Sequence, residues 1–477
     1  MTYRKRFSVV PPTVGLVTTA VLGASAAAPA HADDNSTNEV RVACDTAALI
    51  SAVEAANAAQ GSTTLRLPNQ CHYTLTAAAE GETGLPPISG DIRVVSRGAV
   101  IQRDTAAAPF RIFEVASGGD LSLQGVTITG GSTTTDGGGI AVRSGGTLKA
   151  ASVTVRGNRT DTDAGGIDVA HGATAAFKGS LITSNEAGDQ GGGLNADGTV
   201  GLTSTTVSFN RATRFYGGGV NIDEEDARLT LRDSAVRNNT SGVGSGGLDL
   251  DNGFVDIHSS RVTGNSSGEF AGGIYNNSQS LTIDRSEIAN NATVDESGGI
   301  ETYGKLSVTD SKITGNRVEN GASGSNDGGG GITVYSGTVS LKKVEVVRNT
   351  VEGENAKGGG ISLPNAADAV VNLDQSLISR NVVVGTSSIA GGIHNEGGSI
   401  SLRHTPVTAN RADKAPGGIW TDTQFVSAER SSIIRNVPTN CAGSPVIITG
   451  CKESATTATP PSVPFLSAPE NSLPNKL

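Results

Sequence analysis

Three aspartates, Asp223, Asp249 and Asp251, each follow closely on a double glycine in the middle of this sequence. In the segment SGGLDLDNG, residues 245–253, leucine and aspartate alternate, which indicates a β-strand with carboxylates on its outward face. Carboxylates this close raise one another's pKa unless a cation or a hydrogen-bonded ligand intervenes. They could accept hydrogen bonds from sugar hydroxyls, hold Ca²⁺, or act as the acid and nucleophile of a retaining glycosidase. Which of these three roles is possible depends on the positions of the aspartates in the fold.

The double glycine recurs along the chain, and each time an apolar residue follows it, which we call the anchor. The anchors are Ile140, Ile167, Leu194, Val220, Leu248, Ile274, Ile300, Ile332, Ile361, Ile393 and Ile419. A second motif, apolar-x-x-Asn, keeps step with the first and ends at Asn158, Asn185, Asn210, Asn239, Asn265, Asn291, Asn316, Asn349, Asn381, Asn410 and Asn436. Two motifs repeating together at one spacing predict a solenoid.

Each repeat contains three short strand patterns, such as GGLDLDNG, FVDIHSS and RVTGN in the copy that starts at residue 246. These segments are too short and too polar for helices, so we predict an all-β, three-sided parallel coil of about twelve or thirteen turns. The glycines allow positive φ and a tight approach of the backbone at one corner. The asparagines suit another corner, because Asn tolerates the left-handed conformation and can bond to the Asn of the next turn. We therefore interpret them as structural.

The two ends of the chain differ from the repeats. Residues 45–61 have apolar side chains at helical spacing and predict a capping helix. Four cysteines in neighbouring pairs predict one disulfide at each end, Cys44–Cys71 and Cys441–Cys451. The predicted divisions are a signal peptide (1–32), an N-terminal cap (33–87), the parallel β-helix (88–440), a disulfide-closed lid (441–451) and a disordered proline-rich tail (452–477).

Composition limits the possible partners. The formal net charge of −10 makes nucleic acid an unexpected partner, because binding a polyanion requires a basic surface. After the signal peptide, no apolar stretch approaches the length of a membrane-spanning helix. We therefore expect a secreted, extracellular and monomeric protein without membrane insertion.

The repeats resemble those of secreted right-handed parallel β-helix proteins with the pectin-lyase-like fold, in particular polymorphic-outer-membrane-protein-type repeats, in which a GG-apolar motif alternates with FxxN. GGGVNID and VSFN, residues 217–223 and 207–210, are typical of the match, although most copies here have Val or Ile in place of Phe. The resemblance spans roughly residues 44–451. It implies a right-handed coil, and in the lyases and polygalacturonases of the wider fold it would imply catalytic clusters of Asp, Arg, Lys or His. No such motif can be transferred to this sequence residue by residue.

One face of the coil has an unusual composition. One and three residues after the anchor, at positions +1 and +3, side chains are expected to point outward, and these two columns contain eight carboxylates, four aromatic residues and a single arginine. The two columns of the middle strand that contain Asp256 and His258 mix acidic and basic residues and contain no aromatic residue. In the longer repeats, extra residues between the Asn and the next double glycine could form one wall of a groove beside the acidic face.

We expect the acidic, aromatic face to bind a polysaccharide or another cell-surface glycan without catalysis. The predicted ligand-binding residues are Asp168, Asn195, Asp197, Asn221, Asp223, Asp249, Asp251, Tyr275, Glu301, Tyr303, Tyr335 and Trp420. The alternative is an extracellular polysaccharide lyase or glycoside hydrolase that uses Asp223, Asp249 and Asp251, the same residues that are the candidates for a Ca²⁺ site. A third interpretation is that these polar side chains only keep a flat sheet soluble and prevent its lateral association.

Overall fold

The computed structural model describes residues 38–319 and 328–453. The predicted signal peptide and residues 454–477 of the predicted tail lie outside these ranges. The described residues form an all-β parallel β-helix of about 14 turns with one α-helix, which confirms the predicted fold class. No helix of the described part is long and apolar enough to cross a membrane.

The single helix covers the N-terminal end, as predicted. It runs from Thr46 to Ala58, and the carboxylate of Asp45 accepts the backbone N–H of Ala48 at 2.9 Å and so caps its first turn. Its buried side is formed by Leu49, Val53 and Ala56. These side chains join the main hydrophobic core, so the helix closes the coil at this end.

Five strands precede or flank the first repeats: Asn38–Arg41, Thr63–Arg66, His72–Leu75, Asp91–Arg103 and Asp120–Thr129. They pair in parallel with one another and belong to the same sheet as later strands of the coil. The predicted Cys44–Cys71 disulfide is present in this region. The strands of the cap therefore act as the first turns of the coil, which explains why there are more turns than the predicted twelve or thirteen.

Each later turn contributes up to four strands instead of the predicted three. The Gly-Gly strands, which hold the anchors, are Ile140–Val142, Ile167–Val169, Leu194–Ala196, Val220–Ile222, Leu248–Leu250, Ile274–Asn276, Ile300–Thr302, Ile332–Val334, Ile361–Leu363, Ile393–Asn395 and Ile419–Thr421, and Phe113–Val115 precedes them in the same sheet. The middle strands are Thr147–Ala151, Thr174–Lys178, Thr199–Thr203, Arg228–Arg232, Phe254–His258, Ser280–Asp284, Leu306–Thr309, Thr338–Lys342, Val370–Asp374, Ser399–Arg403 and Val426–Glu429.

The third and fourth strands of each turn are shorter. The third strands are Thr154–Arg156, Leu181–Thr183, Thr206–Ser208, Ala235–Arg237, Arg261–Thr263, Glu287–Ala289, Lys312–Thr314, Glu345–Val347, Leu377–Ser379, Val407–Thr408 and Ile433–Ile434. The fourth strands begin with Ser132–Thr133, and each later one follows a repeated Asn: Arg159–Thr160, Glu186–Ala187, Arg211–Ala212, Thr240–Ser241, Ser266–Ser267, Ala292–Thr293, Arg317–Val318, Thr350–Glu352 and Val382–Val384.

Equivalent strands of successive turns pair in parallel and in register. Leu248–Leu250, for example, lies between Val220–Ile222 of the preceding turn and Ile274–Asn276 of the next. The strands form three sheets, of 27, 12 and 10 strands, because the middle and third strands share one bent sheet. The expected three-sided coil is thus correct, and its third side is built from the fourth strands.

Aliphatic side chains fill the interior of the coil. In Phe254–His258, Val255 and Ile257 are buried while Asp256 between them is exposed, as the alternation of a strand requires. The same alternation repeats in turn after turn and produces one continuous core. Because most inward positions hold Val, Ile or Leu, the chain needs few aromatic residues in its core.

The repeated asparagines form a buried ladder along the coil. The side-chain amide of Asn239 donates to the side-chain oxygen of Asn265 at 3.0 Å, and Asn265 donates to Asn291 in the same way. This confirms that they are structural. The left-handed conformation, however, belongs to the residue immediately before each asparagine, such as Asn238 with φ of 53°, so its assignment to the ladder asparagines was wrong.

The double glycines pack directly against this ladder. A Cβ atom on Gly139 would lie 2.6 Å from the carbonyl oxygen of Gly166 and 2.9 Å from the side-chain nitrogen of Asn158. The predicted close backbone approach is therefore confirmed and excludes a side chain here, whereas the predicted positive φ does not occur at Gly138 or Gly139. This contact also explains why the Gly-Gly motif and the asparagine motif repeat with the same spacing.

The lid closes the C-terminal end through the predicted Cys441–Cys451 disulfide. The asparagine ladder extends one step beyond its last predicted member to Asn440, whose side chain donates to the carbonyl of Lys452 at 2.8 Å. The carboxylate of Glu453 accepts the backbone N–H groups of Asn440 and Cys441. Backbone donors that a further turn would otherwise satisfy are therefore satisfied by Glu453, so the ordered end extends two residues into the predicted tail.

Candidate functional site

The predicted +1 residues form a continuous column on the Gly-Gly sheet. Asn221 is paired in register with Asp249, Asp249 with Tyr275, and Tyr275 with Glu301. The acidic and aromatic side chains of successive turns therefore lie next to one another on the same wall of the coil, as the spacing predicts.

The +1 side chains are nevertheless more buried than an outward position suggests. Asp249 is 4% exposed and Glu301 is 0% exposed. The segment between each fourth strand and the next double glycine runs across this wall: a Cβ on Gly244, for instance, would lie 2.7 Å from Oδ2 of Asp249. The expectation of a solvent-exposed +1 column was therefore wrong, because a neighbouring segment covers it.

The predicted site residues fall into three classes of exposure. The buried ones are Asp168, Asn195, Asn221, Asp249 and Glu301. The half-buried ones are Asp197, Asp223, Tyr275, Tyr303, Tyr335 and Trp420, and Asp251 is exposed. The +3 residues Asp223 and Asp251 are thus more exposed than the +1 residues Asn221 and Asp249 of the same turns.

Four of the predicted residues meet in one cavity of about 390 Å³. It is lined by Gln190, Tyr216, Asp223, Asp249, Asp251, Phe270 and Tyr275. Two larger and more open grooves, of about 840 and 560 Å³, lie on the sheet of middle and third strands. We take the smaller cavity as the candidate site, because it alone among the three combines several aromatic rings with several carboxylates.

The sequence analysis missed three of the lining residues, Gln190, Tyr216 and Phe270. Each lies four positions before its anchor, in the segment that covers the +1 column. Comparing the residues four positions before the anchors, in addition to those at +1 and +3, would have revealed them. The segment that contains the −4 residues thus forms one wall of the cavity. The predicted groove wall was to come from the same segment, but in the longer repeats.

Three of the four predicted aromatic rings, those of Tyr303, Tyr335 and Trp420, are half-buried and stack on a neighbouring ring. The rings of Tyr303 and Tyr335 are 4.7 Å apart between centroids and nearly parallel, at 9°. Trp420 lies at the far end of the sheet and stacks on His394 at 4.8 Å. The ring of Tyr275 is tilted by 47° against that of Tyr303, and only Tyr275 of these predicted rings lines the cavity.

Hydrogen bonds fix the carboxylates of the cavity. Oδ2 of Asp223 accepts the side-chain amides of Gln190 at 3.1 Å and Asn221 at 3.0 Å. Oδ2 of Asp249 accepts the backbone N–H of Ser245 at 2.8 Å, and Oδ1 of Asp251 accepts the amide of Asn277 at 2.8 Å. These bonds hold the three carboxylates in place before any ligand binds.

Burial changes the acidity of these groups. It raises the pKa of Asp249 to about 7, and the charges of Asp223 and Asp251 add to the rise while the Ser245 N–H opposes it. Burial is also the main cause of the raised pKa of Asp223. Nearer the N-terminus, burial raises the pKa of Asp168 to about 7.

A second acidic pair lies beside the tyrosine stack. Neither carboxyl oxygen of the fully buried Glu301 makes a hydrogen bond of normal geometry, and burial together with the charge of Glu296 raises its pKa well above the usual value. Glu296, another −4 residue that the sequence analysis missed, accepts the hydroxyl of Tyr335 at 3.1 Å. Glu301 is therefore a predicted ligand-binding residue that the structure places beneath the surface and outside the cavity.

The calcium candidates do not converge in the described ranges. The one group of three possible ligand atoms lying within 4.8 Å of one another there consists of Cys441, Cys451 and Glu453, and its cysteines form a disulfide. Asp223, Asp249 and Asp251 share the cavity without forming such a group.

Comparison with known proteins gives no match: no family model, no curated protein and no solved structure matches this chain. The parallel β-helix is established by its own strand pairing.

Proposed function

We propose that this protein is a secreted β-solenoid that binds a saccharide chain in the cavity of the Gly-Gly sheet. The observation that carries the proposal is that three rings, of Tyr216, Phe270 and Tyr275, line the same cavity as three carboxylates. Aromatic rings pack against the apolar faces of sugars, and carboxylates accept hydrogen bonds from their hydroxyls. The volume lies within the range of about 300–1,000 Å³ typical of ligand pockets.

The proposal also includes the family to which the β-helix belongs and the extracellular location of the protein. The GG-apolar and FxxN-like motifs support a place among the pectin-lyase-like β-helices with polymorphic-outer-membrane-protein-type repeats. Two disulfides support an extracellular location, because such bonds persist in oxidising compartments.

Binding to a panel of polysaccharides, measured by affinity electrophoresis and calorimetry, tests the proposal. Tyr216→Ala removes an exposed ring from the cavity and is expected to weaken binding about tenfold or more. Phe425→Ala removes another exposed ring, one that does not line the cavity, and is expected to leave binding unchanged. Equal loss in both variants, or no binding to any polysaccharide, would refute the proposal.

A glycoside hydrolase is the second candidate, because the pKa of Asp249, raised to about 7, suits a general acid at neutral pH. Release of new reducing ends from a polysaccharide that binds, abolished by Asp249→Asn with binding retained, would establish this activity. Binding without any new reducing ends or unsaturated products would leave the protein a binding module.

A further inference from the structure

The cavity contains negative charge without a compensating cation. Its lining includes three carboxylates and no lysine, arginine or histidine. Of the ion pairs formed within residues 38–319 and 328–453, none involves Asp223, Asp249 or Asp251. By contrast, Glu114 on the same sheet pairs with both Arg111 and Arg143, at 3.0 and 2.8 Å.

The rings of the cavity also lack a cationic partner. Within the described part of the chain, arginine guanidinium groups lie over Phe110, Phe209 and Phe254, and none lies over Tyr216, Phe270 or Tyr275. Burial, together with the charges of Asp249, Asp251 and Glu269, raises the pKa of the Tyr216 hydroxyl, so Glu269 adds to the negative potential around the cavity. Aromatic faces bordered by carboxylates are the surroundings that an ammonium group prefers.

We propose that the cavity recognises the protonated amino group of an amino-sugar chain, an inference that rests on the proposed saccharide-binding function. The ammonium group would lie between the rings of Tyr216, Phe270 and Tyr275 and the carboxylates of Asp223 and Asp251. The sugar hydroxyls would bond to the remaining carboxylate oxygens. A polymer of uronic acids meets the same carboxylates with like charge and is excluded.

Two oligosaccharides that differ only in charge provide the test. β-1,4-linked glucosamine oligomers and N-acetylglucosamine oligomers of equal length are titrated into the protein by calorimetry at mildly acidic pH, where the free amines are protonated. The glucosamine oligomer is expected to bind at least about tenfold more tightly, and added salt is expected to weaken it selectively. Tetramethylammonium chloride is expected to compete better than the same concentration of sodium chloride.

Matched variants assign the effect to the cavity. Asp251→Asn removes one exposed charge and is expected to reduce the preference for the glucosamine oligomer severalfold. Asp256→Asn removes an exposed charge from the middle strand of the same turn and is expected to leave the preference unchanged.

The possible outcomes separate this inference from the proposed function. Equal affinity for both oligomers, or tighter binding of the acetylated one, overturns the amine preference and leaves saccharide binding standing. Binding of a polyuronate that is lost in Tyr216→Ala would likewise overturn the amine preference and leave saccharide binding standing. No binding to any saccharide overturns both proposals together.

Discussion

Asp249 and Asp251 are two residues apart on one strand and its extension, yet Asp249 is nearly buried while Asp251 faces solvent. Their spacing predicts equivalent side chains on one face. The covering segment makes them different, because it excludes water from one carboxyl and leaves the other hydrated. The same sequence signal thus yields one group that resists ionisation and one that remains available to a ligand.

This difference predicts how pH affects stability. The pKa of Asp249 rises from 3.8 to about 7 on folding, so its contribution is fully present below about pH 4 and is lost as pH rises to about 7. At one pKa unit per 1.4 kcal/mol, the loss could reach roughly 4 kcal/mol. We expect Asp249→Asn to be more stable than the wild type at pH 8, by about 1–3 kcal/mol, and little different at pH 4.

Denaturant unfolding of both proteins at the two pH values measures this effect. Asp256→Asn, which alters an exposed carboxylate, is expected to show no such dependence on pH. If Asp249→Asn were equally destabilised at both pH values, Asp249 would be ionised and well solvated in the folded protein.

At the scale of the elements, the double glycine and the asparagine ladder act as one unit. Each ladder amide fits against a glycine that has no Cβ, so neither motif can change without the other. The local repeat therefore determines not only the strands but also how closely the double glycine packs against the ladder.

Two glycines in adjacent turns test this dependence. A Cβ on Gly219 would lie 2.6 Å from the carbonyl oxygen of Gly247 and 3.0 Å from the amide nitrogen of Asn239. We expect Gly219→Ala to destabilise the protein by about 2–4 kcal/mol, because backbone and ladder must both shift. A Cβ on Gly201, in a middle strand, would meet no atom within 4 Å, so Gly201→Ala is expected to be neutral or slightly stabilising.

Thermal unfolding of the two variants under identical conditions supplies the measurement. Comparable destabilisation by both substitutions would show that loss of backbone freedom, and not the close approach at the ladder, explains the regular spacing of these glycines along the chain.

At the scale of the whole molecule, the coil is a one-dimensional stack in which each turn contacts its neighbours. Damage at one end should therefore remain local. We expect the double substitution Cys441→Ser with Cys451→Ser to loosen the lid and speed amide hydrogen exchange about tenfold or more in Ile419–Thr421 and Ile433–Ile434. Exchange in Leu248–Leu250, near the middle of the stack, should not change.

Hydrogen exchange followed by mass spectrometry resolves these segments. The equivalent substitution Cys44→Ser with Cys71→Ser serves as the mirror control, since it should affect only the first turns. A uniform increase along the chain in either variant would contradict the stacked-turn description and indicate a single cooperative unit.

The repeat pattern was sufficient to predict the coil, its register, the capping helix, the two disulfides and the stacking of the asparagines. These follow from local chemistry repeated at a fixed spacing, since alternating Val, Ile and Leu, Asn amides and Cβ-free glycines impose the same geometry on every turn. It also placed Asp223, Asp249, Asp251 and Tyr275 on one wall.

Which of those side chains share a cavity depends on contacts that the repeat pattern does not contain. Glu301 is covered, Tyr303 and Tyr335 stack on each other, and Tyr216 and Phe270 join the site from a segment whose sequence varies between turns. Burial, ring orientation and electrostatic environment depend on which side chains of the covering segment lie against each residue. A residue's position in its own repeat does not contain that information.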